Sequence, residues 1–464
     1  MQIHFHGAAQ TVTGSQYVIE INGKHLMLEC GLFQGKRNQY YERNLNFRIP
    51  APKIDAVILS HAHIDHSGNL PNLVRQGFSG PIYATPATAR LTEIMLLDSG
   101  HIQEADVEFV NKKRLRRGEE PIQPLYTQQD ALRVRPYLTP IPYEQVFEPL
   151  PGVTARFFEA GHILGSASVF LTLEEKGQRV TLWFSGDIGR EKLPLLKDPI
   201  LPFGEIDYLL MESTYGDKPH RDPEEAFREF SAVVQRTAEQ GGKVIIPAFA
   251  VGRTQELVYC LHQMVESGSL PTLPIYVDSP LAVQASMIFQ EFPNYFDDET
   301  QRFILQDRHP ALSFEQLHYV QNVEESKKIN DMSGPLVIIS ASGMAETGRI
   351  LHHLRNNIEN PRNTIIIVSW QAPDTLGRQL AERATKVKIF GETFQRRAQI
   401  ATIGGLSAHA GQDMLIRYAQ AAKVQRNLFL IHGEPNAATA LTEKLTERGL
   451  SSIAYPSPGT SADL

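Results

Sequence analysis

The chain has 464 residues, 42% of them hydrophobic and 21% charged, with a formal net charge of −7. That length supports two or three domains of ordinary globular composition, and the charge argues against a protein that coats nucleic acid non-specifically. No run approaches the roughly 18 uninterrupted apolar residues of a membrane span, so no membrane partner is expected. No basic segment followed by an apolar one opens the sequence, and the only two cysteines, Cys30 and Cys260, sit in apolar surroundings. Both features point to a cytoplasmic protein with reduced thiols.

In chain order, short strands are predicted at Gln2 to His6, Gln16 to Ile21 and His25 to Glu29, with a hairpin turn at Asn22-Gly23. The apolar run Ala56 to Ser60 predicts a buried strand that ends in His61-Ala62-His63-Ile64-Asp65-His66. Ser67-Gly68-Asn69 breaks the strand and Pro71 follows, so this cluster occupies a strand-end loop leading into a helix. His61 and His63 are two apart, and at the end of an extended segment their rings can project the same way. Asp65 and His66 lie past the bend and can face a second point. One loop can therefore supply two ligands to each of two metals, and imidazole with carboxylate is a donor set that suits zinc.

Pro86 opens a helix expected over Ala87 to Ser99, with a second helical stretch running to about Arg117. Strands predicted at Ala155 to Glu159, Ser168 to Leu173 and Val180 to Ser185 are followed or separated by two glycine-bounded loops, which hold His162 and Asp187. From Tyr208 onward, short apolar runs alternate with helical patterns, which implies a parallel sheet covered by helices. After Phe394 a strand leads to Ser407-Ala408-His409-Ala410-Gly411 and a helix, and the buried strand Leu428 to Ile431 ends at His432.

The run from His61 to His66 resembles the HxHxDH signature of the metallo-β-lactamase superfamily, and His162 and Asp187 follow in the order of its later motifs. Leu210-Met211-Glu212-Ser213-Thr214-Tyr215-Gly216, Ser407-Ala408-His409 and Ile431-His432-Gly433-Glu434 resemble motifs A, B and C of its β-CASP branch. That branch holds the nucleases of mRNA 3′-end processing and RNase J. The resemblance implies an α/β fold, with a four-layer αββα metallo-β-lactamase domain in 1–207 and 396–464 and an inserted α/β β-CASP cap domain in 208–395. It implies two zinc ions, one on His61, His63 and His162, the other on Asp65, His66 and His432, with Asp187 bridging. Glu29 stands where the family usually has an aspartate that supports the ligands from behind.

The implied activity is hydrolysis of single-stranded RNA, by endonuclease or 5′ exonuclease action, with a water acidified between the metals as nucleophile. Asp65, Glu212 and His409 are the implied catalytic residues, His409 as donor of a proton to the leaving oxygen and Glu212 as its orienting partner. Arg253, Ser342 and Gly343 are expected substrate contacts at strand–helix junctions of the cap. Ser407 and Gly411 flank His409 and serve either a phosphate or plain helix capping. Arg378, Arg383, Arg396 and Arg397 are the expected track for the RNA backbone. Two alternatives stay open: another lactamase-fold hydrolase acting on a thioester or lactone, and a non-catalytic RNA-binding scaffold. The oligomeric state is open too, a homodimer being one form.

Overall fold

Along the strands near the N-terminus, successive side chains turn to opposite faces, and both faces are apolar. Ile19, Ile21, Leu26, Leu28 and Ile58 pack to one side, and Val18, Met27 and Val57 to the other. A sheet apolar on both faces has to be covered twice. The computed structural model, which describes residues 1–35, 37–307, 310–372 and 374–464, meets that demand with four layers. The first sheet has the order Ser461–Asp463, Gln2–Gly7, Gln16–Ile21, Lys24–Leu28, Ala56–Ile58, Ile82–Ala84, Leu138–Pro140. The second has the order Ile453–Ala454, Asn427–Ile431, Tyr208–Glu212, Gln178–Phe184, Ala167–Glu175, Val153–Glu159, Phe147–Leu150. Their inner faces share one core, in which Phe5, Tyr17, Phe184, Leu210 and Phe429 are buried. Helices Leu70–Arg75, Pro86–Arg116 and Gln128–Leu132 bring the outer apolar side chains that cover the first sheet, and Gln412–Ala421 and Pro435–Glu447 those that cover the second.

Pro86–Arg116 is one helix of 31 residues rather than the two expected. Ser99-Gly100 reads as a break, but the helix continues through it. Gly100 lies where a Cβ would come within 2.8 Å of the Gln128 amide nitrogen, so glycine here admits a close neighbour instead of ending the helix.

The chain divides into two compact units, the first made of residues 1–191, 198–219 and 409–464, the second of 192–197 and 220–408. Strand pairing explains why this differs from the expected 208–395. Tyr208–Glu212 lies parallel to Gln178–Phe184 and Asn427–Ile431 in the first unit's second sheet. Gln399–Thr402 pairs with Thr364–Ile367 in the second unit. That unit's main sheet runs Leu317–Tyr319, Ile275–Val277, Leu336–Ser340, Lys243–Pro247, Thr364–Ile367, Gln399–Thr402, and every neighbouring pair is parallel. Among the described residues no helix is long and apolar enough to cross a membrane.

Candidate metal centre

Five strand ends of the first unit deliver the site. His61 follows Ala56–Ile58, and His63 caps the short helix Ile64–Ser67, which carries Asp65 and His66. His162 follows Val153–Glu159, Asp187 follows Gln178–Phe184, Glu212 ends Tyr208–Glu212, and His432 follows Asn427–Ile431. The bend before Asp187 needs glycine. Gly186 has φ +57°, and a Cβ on it would lie 2.8 Å from the Ser60 Cβ. Glu29 and His432 also sit at positive φ, 64° and 45°, without being glycine. Such backbone persists only where the surroundings hold it.

The donor atoms form two groups that share Asp187. In the first, His63 Nδ1 lies 3.1 Å from His61 Nε2 and 3.2 Å from His162 Nε2, while Asp187 Oδ2 lies 3.5 and 3.6 Å from the same two nitrogens. In the second, His66 Nε2 lies 3.2 Å from His432 Nε2 and 3.3 Å from Asp187 Oδ1. Asp65 Oδ2 lies 3.5 Å from His432 Nε2 and 3.9 Å from His66 Nε2. Four ligands placed tetrahedrally at zinc bond lengths are about 3.4 Å apart. The first group has spacings of that kind, and so does the trio Asp65, His66 and His432, which Asp187 Oδ1 adjoins at His66 Nε2 and, 3.5 Å away, at His432 Nδ1. Asp187 Oδ1 is buried without a hydrogen-bond partner, a costly state for a carboxylate oxygen and one that a bound cation relieves.

The outer ring atoms are anchored. Glu29 Oε2 is 2.8 Å from His66 Nδ1, and Glu29 Oε1 accepts from the Ser60 amide at 2.6 Å, so the longer side chain ties the ring to the neighbouring strand end. Ser60 Oγ is 2.9 Å from His61 Nδ1 and Thr214 Oγ1 is 3.1 Å from His432 Nδ1. These two hydroxyls escaped the sequence reading. Their only signal is a hydroxyl residue next to His61 and another two places after Glu212. Such anchors fix ring orientation and tautomer at metal sites.

Burial pushes the imidazoles of His61, His63 and His162 down, His63 to about 4, and neighbouring histidines add to the shift. They are therefore neutral, with lone pairs free for a metal. Burial alone would raise Asp187, but the ring of histidines around it holds it well below the usual carboxylate range. Burial also opposes charge on His409, yet Glu212 and Asp187 outweigh it and raise the ring to about 9.

His409 Nδ1 lies 3.2 Å from Glu212 Oε1, which also accepts from the Ile188 amide at 2.7 Å, and 3.9 Å from Asp187 Oδ2. His409 thus stands beside the shared carboxylate on a ring held from behind. Gly411 caps helix Gln412–Ala421, whose first amide donates to Lys218 O at 3.0 Å.

In the second unit the expected substrate contacts are placed less uniformly. Arg253 is buried, with its guanidinium paired to Glu256 one helical turn on. Ser342 is half-buried, and its hydroxyl accepts from the Glu346 and Thr347 amides. Gly343 is buried against Phe249, and Ser407 is half-buried. In the expected arginine track, Arg383 and Arg397 are exposed and Arg378 pairs with Glu382 at 2.6 Å. The guanidinium of Arg396 donates to the carbonyls of Ala384 and Ala398 at 2.9 and 2.7 Å, which makes it a structural tie.

Residues 10–229 match the metallo-beta-lactamase superfamily, 254–380 the Beta-Casp domain, and 393–456 the Zn-dependent metallo-hydrolase RNA specificity domain. The chain is 38% identical to ribonuclease TTHA0252 of Thermus thermophilus over 97% of each chain. It is 31% identical to the transcription termination factor FttA of Pyrococcus abyssi, over 97% of this chain and 69% of that one. The FttA of Methanosarcina mazei is 28% identical, over 95% and 68%. A crystal structure of a protein of unknown function from Enterococcus faecalis V583 shares the fold, with a TM-score of 0.56 at 12% identity over 100% and 99% of the two chains. With its His and Asp donors gathered at one end of the paired sheets, the chain belongs to the β-CASP ribonuclease family of the metallo-β-lactamase superfamily.

Proposed function

We propose that this chain is a cytoplasmic, zinc-dependent ribonuclease that hydrolyses phosphodiester bonds of single-stranded RNA, as an endonuclease, a 5′ exonuclease or both. The observation that carries the reading is the pair of donor groups sharing Asp187, with the Glu212–His409 pair beside them. His61, His63 and His162 would hold one ion and Asp65, His66 and His432 the other. Bound there, two zinc ions would acidify a water and offset negative charge on a phosphate.

The remaining roles belong to the protein. Glu29, Ser60 and Thr214 hold the ligand rings in register. Glu212 aims His409 and keeps it protonated, so that its ring can give a proton to a departing ribose oxygen. That proton donor favours a phosphodiester over a thioester. An alkoxide is a poor leaving group without protonation, whereas a thiolate, with a parent pKa of about 8.5, leaves without help. The printed names of the relatives, a ribonuclease and transcription termination factors, agree with an RNA substrate.

The test is turnover of unstructured RNA, 5′-labelled in one sample and internally labelled in another, with and without a chelator, beside a thioester and a lactone. The reading expects RNA products that vanish with the chelator and distinguish internal from end-directed cleavage. Turnover of the thioester or lactone with RNA left intact would overturn it.

A further inference from the structure

In the second unit all six parallel strands point their C-terminal ends to one edge. Ligands of open parallel sheets bind outside that edge, where the strand order reverses. Here the reversal falls at Lys243–Pro247. From it the chain runs outward to Ile275–Val277 on one side, and later crosses from Leu336–Ser340 to Thr364–Ile367 on the other. The loops after the three adjacent strands Leu336–Ser340, Lys243–Pro247 and Thr364–Ile367 carry Gly343, Phe249 and Trp370 respectively.

Exposed Phe and Trp side chains among the described residues are Phe109, Phe203, Phe249, Trp370 and Phe390. Three have partners: Lys113 lies over Phe109, Phe158 and Trp183 meet Phe203, and His352 meets Phe390. Phe249, 42% exposed, and Trp370, 50% exposed, have no ring or cation partner among the described residues. Both follow strands at the edge just described, and Gly343 adjoins Phe249 and the neighbour of Trp370. A Cβ on Gly343 would come within 3.1 Å of Phe249 Cδ2, a tight approach that would push the ring or the loop by a few tenths of an ångström. Gln371, next to Trp370, donates from Nε2 to Gly343 O at 3.1 Å and to Ser369 O at 3.1 Å. Two water-facing aromatic side chains on the loops at a sheet's ligand edge suit flat, apolar-faced ligands. The loop 403–408 leaves the last strand of this sheet, and the residue after it is His409.

We propose that Phe249 and Trp370 form a stacking platform for unpaired nucleobases of the substrate strand. The proposal rests on the RNA reading above and adds to it the part of the chain that grips bases rather than phosphates. Base–aromatic stacking tolerates any sequence, because every base offers a flat π face, and it excludes bases locked in a duplex.

Tryptophan fluorescence tests this directly. The chain has two tryptophans, and Trp183 is fully buried, so quenching by a ligand reports on Trp370. A nuclease-resistant phosphorothioate RNA oligomer should quench the full-length, zinc-loaded protein, and an abasic oligomer of equal length and charge should not. Phe249→Ala and Trp370→Ala should each weaken RNA binding about 10-fold, as expected for loss of one stacked base, and leave abasic binding unchanged. Trp370→Phe should keep most of the affinity and lose the signal. Circular dichroism of each variant checks the fold. If wild-type protein cleaves RNA but shows no quenching, or binds abasic and natural oligomers alike, the platform is wrong while the RNA reading stands. If wild-type protein neither binds nor cleaves RNA, the RNA reading itself falls, and the platform with it.

Discussion

Asp187 and His409 stand 3.9 Å apart yet should fail differently when removed. Asp187 contributes one oxygen to each donor group, so Asp187→Ala should lose metal and RNA cleavage together, as read by elemental analysis and product formation. His409 lies beside the shared carboxylate and Glu212 but outside the two donor groups described above. His409→Ala should keep its metal and lose about 10²- to 10⁴-fold in rate, the usual range for a general acid. An emptied site in that variant would make His409 a ligand instead. Glu29 offers a finer test. Glu29→Gln preserves length and can still accept from Ser60, but the amide can no longer present a carboxylate to His66 Nδ1. Zinc affinity, measured by competition with a chelating dye, should fall about 10- to 100-fold, as when other ligand-orienting partners are lost. Unchanged affinity would show that Glu29 does not support the ligand. The donor cluster was legible because four metal-binding side-chain types crowd into six positions at the end of an apolar run. Ser60 and Thr214 were not, because serine and threonine have many ordinary uses and only the folded ring positions single these two out.

At the scale of elements, the second unit is tied together by one buried carboxylate. Asp278 follows strand Ile275–Val277 and is fully buried. Its Oδ1 accepts from Arg349 NH1 at 2.6 Å, and its Oδ2 meets Ser326 Oγ and His353 Nε2, each at 2.6 Å. Helices Val323–Asp331 and Ile350–Asn357 are thereby fastened to the sheet. Burial by itself would raise the Asp278 pKa, but hydrogen bonds from His353, Ser326 and Arg349 outweigh it and hold it below the usual aspartate value. A depressed folded-state pKa stabilises the fold above the unfolded value, about 3.9, and that stabilisation is lost as pH falls below it. Asp278→Asn should therefore cost about 3 kcal/mol near neutrality, as removal of one partner from a buried pair does. The gap between wild type and variant in calorimetric unfolding should narrow as pH falls from 4 to 3. An equal gap at both pH values would mean that the charge of Asp278 is not what holds the helices. Local pattern foretold the alternation of strands and helices in this unit, since apolar periodicity is a property of neighbouring residues. It misjudged Gly100, whose close neighbour is Gln128 and therefore distant in sequence.

For the whole molecule, the alternation of strands and helices between Tyr208 and Gln395 announced an inserted α/β block correctly. Its ends were misplaced because a strand belongs to whichever sheet it pairs with, and pairing is not written in the strand's own residues. Tyr208–Glu212 joins the first unit and Gln399–Thr402 the second, and this leaves both Glu212 and His409 in the unit that carries the clustered His and Asp donors. The two donor groups sharing Asp187 make a quantitative demand on this assembly. The measurement that meets it most directly is the rate of RNA cleavage against zinc content, starting from chelated protein and restoring the ion stepwise. The rate should climb until about two equivalents are bound and then level off. Full activity below one equivalent would contradict the account.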